Sequence, residues 1–110
     1  MKVGLFITDF EFGTKVAEKL SELESNFEFC ETYSDIPSDA QLLIADLDDN
    51  EIGNEKFIQQ LAGENKNLRI IGIMKQVQKD QHTVFKIAGC SMILPKSSLI
   101  KNIATFILNK

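Results

Sequence analysis

Apolar residues recur along the chain with two different periods. VGLFIT (Val3–Thr8), QLLIAD (Gln41–Asp46) and LRIIGIM (Leu68–Met74) are nearly unbroken apolar runs, as expected of strands buried on both faces. FEFCETY (Phe27–Tyr33) alternates and reads as a strand with one wetter face, and SMILP (Ser91–Pro95) as a short fifth strand. Between these runs the period lengthens to that of a helix. Phe12, Val16, Leu20 and Leu23 predict an amphipathic helix over Phe12–Glu24, and Phe57, Ile58 and Leu61 a short one over Glu55–Leu61. Val84, Ile87 and Ala88 predict a third over Asp80–Ala88. A last helix follows Pro95, capped by Ser97 or Ser98, with Leu99, Ile100, Ile103 and Ile107 on its apolar stripe.

Strand and helix alternate throughout, which predicts an α/β domain built on a doubly wound, five-stranded parallel sheet. One connection departs from that plan. YSDIPSDA, between strands two and three, carries Pro37 and two Ser-Asp pairs, so the helix there is expected to be reduced or missing. Part of one sheet face would then be covered by a partner or a second copy of the chain, or left to water, for which Glu28, Glu31 and Thr32 are polar enough. The length, residues 1–110, suits a single domain with one core.

Composition narrows the function classes. A net charge of -4 argues against nucleic acid or an anionic membrane as partner, since both need a positive surface. No apolar run approaches the roughly 20 residues of a spanning helix. The start, MKVGLFITDFEFG, has too short an apolar part for a signal peptide and breaks at Asp9. Cys30 and Cys90 lie far apart without metal spacing and read as reduced, structural thiols of a cytoplasmic protein. With His82 the single histidine, on a polar helical face, a zinc site is not expected. Phe6, Phe57 and Phe85 read as core.

Doubly wound sheets bind ligands beyond the carboxyl ends of their strands. There the sequence places Asp9 after strand one and Asp46 at the end of strand three, with Asp48 two residues on. Met74-Lys75 follows strand four and Lys96 strand five. Asp9, Asp46 and Lys96 are expected to converge. Two close carboxylates repel unless a cation intervenes, and hard oxygen donors suit magnesium. A lysine beside a helix N-terminus is disfavoured by about 0.3–1 kcal/mol, which is better explained if Lys96 reaches towards an anion. Taken singly, each has a plainer explanation: an aspartate after a strand usually caps or solvates a loop, and a lysine usually faces water.

The stretches FITDFEFG, LLIADLDD, RIIGIMK and AGCSMILPKSSL, in that order, resemble the receiver domain of bacterial response regulators over nearly the whole chain. The resemblance implies the flavodoxin-like strand order 2-1-3-4-5. It implies Asp46 as phosphoacceptor and magnesium ligand, Asp9 as a second ligand, the backbone carbonyl of Asp48 as a third, and Lys96 as the phosphoryl contact. A histidine kinase or phosphotransfer protein would be the phosphodonor and another protein the downstream partner, with a homodimer as a further option.

The sequence departs from the family at several points. Thr8 stands where a second acid is usual, with Glu11 nearby. Met74 replaces a Ser or Thr hydroxyl, and a thioether has no donor. Ile93 replaces the switch aromatic. Pro95-Lys96-Ser97 replaces Lys-Pro, so a trans peptide is expected after Lys96, because a cis bond before a non-proline costs about 2.5–4 kcal/mol.

Two functions remain open. One is an atypical stand-alone receiver that accepts a phosphoryl group on Asp46 and switches protein binding. The other is a pseudo-receiver that serves as an interaction module without phosphate. A flavodoxin-like cofactor binder fits poorly, because DFEFGTK offers one glycine and two acids where a phosphate cradle is needed.

Overall fold

A computed structural model describes residues 1–65 and 67–108. Five strands form one sheet: β1 (Lys2–Phe6), β2 (Asn26–Phe29), β3 (Leu42–Asp46), β4 (Arg69–Met74) and β5 (Met92–Pro95). All neighbours are parallel, in the expected order β2-β1-β3-β4-β5. Register brings Leu5 opposite Phe29 and Ile44, Asp46 opposite Ile73, and Met74 opposite Pro95. The carboxyl ends of the three inner strands and β5 therefore lie side by side.

Alternate residues of each strand supply two cores. On one face Val3, Leu5, Leu42, Ile44, Ile71 and Ile73 pack under α1 (Phe10–Glu22) and α4 (Lys96–Leu108), through Val16, Leu20, Leu99, Ile103 and Ile107. On the other, Phe6, Leu43, Ala45, Ile70, Met74 and Ile93 pack under α2 (Glu55–Glu64) and α3 (Lys79–Ala88), through Ile58, Leu61, Phe85 and Ala88. Phe6 meets the half-buried Phe57 edge-on, with ring centroids 5.4 Å apart. Among the described residues no helix is long and apolar enough to cross a membrane.

Caps account for most boundary differences. The Asp9 carboxylate accepts the Phe12 N–H at 3.2 Å, so α1 starts at Phe10, two residues before the apolar period suggests. Asn54 accepts the N–H groups of Lys56 and Phe57 and starts α2. The expected serine cap of α4 is not found: β5 runs directly into the helix at Lys96, leaving Ser97 and Ser98 inside its first turn. In α3 the buried stripe is Phe85 and Ala88, while Val84 is 39% and Ile87 77% exposed. The bulky ring of Phe85 takes the core position, which turns Ile87 outward.

Between β2 and β3 a single 3-10 turn, Tyr33–Asp35, stands in place of a helix. The Asp35 carboxylate fixes it by accepting the N–H groups of Glu31 and Thr32, each at 2.9 Å. Those bonds hold the Asp35 pKa below the usual carboxylate range. Tyr33 stacks on Phe57 at 5.2 Å and its hydroxyl donates to Gln60 Oε1 at 2.7 Å. Ile36 also packs against the core. The crossover thus lays Tyr33 and Ile36, both half-buried, on part of the face that the missing helix would leave open.

Candidate functional site

The site forms where β3 ends. Asp46 is 3% exposed, and with Ser25 it makes up the buried polar residues among those described. A buried carboxylate needs hydrogen bonds and a counter-charge to remain ionised. Both are supplied. Oδ1 accepts the Asp48 N–H at 3.0 Å, and Oδ2 lies 3.1 Å from the Lys96 Nζ. The same ammonium lies 3.1 Å from Asp48 Oδ2, which also accepts the Lys75 N–H at 2.9 Å. The Phe12 ring centroid is 5.5 Å from Nζ. Lys96 is thus the centre of an ion triad tied to the ends of β3, β4 and β5. Its burial alone would lower the ammonium pKa; the hydrogen bonds to Asp48 and Asp46, with their charges, outweigh that and hold it above 10.5.

The remaining expected site residues lie around this centre. Asp9 is exposed and its carboxylate caps α1. With Glu11, Lys15, Lys75 and Lys96 it lines a shallow cleft of about 400 Å³. Thr8 turns its hydroxyl to Asp49 Oδ1 at 3.1 Å, while Asp49 Oδ2 accepts the N–H groups of Glu51 and Ile52. Met74 and Ile93 are buried core residues, as their apolar side chains lead one to expect. Every peptide bond among the described residues is trans, including the one after Lys96. The side-chain roles of Asp48 and Asp49 lie beyond the pattern of the sequence. Their signal, the run DLDD, was visible, but the turn that aims them was not.

A divalent magnesium needs several oxygens free to face one point. Here the donors are directed elsewhere: Asp9 to the α1 cap, Asp46 and Asp48 to Lys96, and the Thr8 hydroxyl to Asp49. Among the described residues, no three His, Cys, Asp or Glu side chains stand grouped to hold a metal ion. As folded, with Lys96 on Asp46 and Asp48, the set fits an ammonium and offers no ready-made magnesium site among the described residues.

No family model matches the chain, and no curated protein matches it. Solved structures do. A two-component response regulator from Clostridium difficile superposes with a TM-score of 0.81 at 9% identity, over 99% of this chain and 97% of that one. A response regulator from Burkholderia pseudomallei, with a phosphorylated aspartic acid, a calcium ion and citrate, gives 0.76 at 13% identity over 94% of this chain. The match spans 64% of that longer chain. An atypical orphan response regulator, described with a phosphorylation-independent regulatory mechanism, gives 0.75 at 12% identity over 100% and 98%. At such identities the likeness establishes the fold: the chain is receiver-like.

Proposed function

We propose that this receiver-like domain is a protein-interaction module that works with Asp46 unmodified. The observation that carries this reading is the ion triad, in which Lys96 covers a carboxylate that is only 3% exposed. The groups beside it support the same reading. Met74 brings no hydroxyl and Ile93 no switch aromatic, so a phosphoryl group on Asp46 would lack the usual means of moving the surface. Exposed Phe10 and Phe29, which line one cleft beside α1, supply apolar contact area for a protein partner.

A second reading keeps Asp46 as phosphoacceptor, and the 3.1 Å approach of Lys96 to its Oδ2 favours it. One carboxylate oxygen would attack the phosphorus of an acyl phosphate or a phosphohistidine. The new O–P bond would form as the donor's P–O or P–N bond breaks, and the Lys96 ammonium would turn to the transferred group. The kinase or phosphotransfer partner belongs to this reading alone.

Intact mass after incubation with acetyl phosphate, with and without magnesium, separates the two. The module reading expects no gain in the folded protein. A gain of one phosphoryl group, absent from Asp46→Asn, would overturn it in favour of the phosphoacceptor.

A further inference from the structure

We propose that the Lys96 ammonium, held between Asp46 and Asp48, is the resident cation of this site, standing where a divalent ion would have to bind. A receiver-like fold that places acids at its strand ends needs a positive charge among them. In this chain that charge is covalently attached.

Three features argue for this over an ordinary surface pair. The ammonium is equidistant, at 3.1 Å, from carboxylate oxygens of two residues, and its side chain is 12% exposed. Asp48 is itself held, because its Oδ2 takes the Lys75 N–H at 2.9 Å, so the oxygen facing Lys96 is aimed by the backbone that follows β4. And the residue that would add a further acid is Thr8, whose hydroxyl is occupied by Asp49. A divalent ion bridging Asp46 Oδ2 and Asp48 Oδ2 would have to displace Lys96 from both, and would do so with fewer acidic oxygens around it. The latent affinity of Asp46 and Asp48 for a divalent ion is therefore masked in cis.

This inference needs no assumption about phosphate, so the mass experiment above can fail without touching it. The test is titration with MnCl2 alone, followed by calorimetry and by water-proton relaxation, at constant ionic strength. Wild-type protein is expected to show no saturable site up to low-millimolar metal. Lys96→Met is expected to gain one at least roughly tenfold tighter, which a second change, Asp46→Asn, removes. Manganese should also raise the melting temperature of Lys96→Met and leave that of the wild type unmoved. The proposal is overturned if wild type binds manganese as tightly as Lys96→Met, or if Lys96→Met gains nothing. Should Lys96→Met fold only when manganese is added, that is the gain itself. Should it not fold at all, the same titration on Lys96→Gln, which removes the charge and keeps a polar side chain, decides: a saturable site that Asp46→Asn abolishes sustains the proposal, and none overturns it.

Discussion

Replacing Lys96 by Met removes the central charge of the triad and keeps most of the side-chain volume. Asp46, 3% exposed, is left with the Asp48 N–H as its hydrogen-bond donor. Breaking a buried pair by deleting one partner costs about 3–5 kcal/mol. The Asp48 leg adds less, because a side chain one-third exposed is screened, and is worth about 1 kcal/mol or below. The Lys96 stem is already buried in wild type, so the Met side chain recovers well under about 1 kcal/mol. The net loss at pH 7 is on the order of 3 kcal/mol, a large part of the 5–15 kcal/mol typical of a domain.

Urea denaturation reads this loss as a lower midpoint at unchanged slope. The pH dependence is the sharper check. The folded lysine pKa is raised, so wild type keeps the full contribution below 10.5 and loses it as pH climbs through the elevated value. A deficit under about 1 kcal/mol at pH 7, or one that does not narrow as pH climbs past 10.5, would refute the argument that this ammonium ties Asp46 and Asp48 together.

Two further outcomes follow from the same structure. A Cβ at Gly53 would overlap the Leu47 carbonyl oxygen in the turn after β3, so Gly53→Ala should cost about 1–3 kcal/mol in urea denaturation, and a neutral result would show that the turn relaxes easily. Burial pushes the Cys90 thiol up to about 11, against a small opposing pull from Lys86, so at pH 7.5 it should react with aromatic disulfides only after unfolding; prompt labelling of native protein would contradict its 3% exposure.

The strands were legible because three are apolar on both faces, and a parallel sheet is the architecture that buries such runs. Strand ends then located Asp46 and Lys96 without any side-chain detail. Periodicity could not orient α3: Phe85 with Ala88 and Val84 with Ile87 and Ala88 are both helical sets, and ring volume decided between them. Nor could it find the Asp48–Lys75 bond or the Thr8–Asp49 bond, whose partners lie 27 and 41 residues apart. Contacts of that kind are set by turn geometry after the sheet has formed, and local pattern carries no record of them.

The helix-free crossover also sets where the molecule is weakest. β2 has one neighbour in the sheet, most of its residues are exposed, and it leads into a segment with one short turn of its own. Such a segment opens as a unit at far lower free energy than β1, β3 and β4. Amide exchange should therefore be fastest from Asn26 to Ala40, and proteases should nick there first. The two thiols will then report different events: Cys30, sealed by the crossover, becomes reactive on local opening, while Cys90, sealed by β4 and α3, waits for global unfolding.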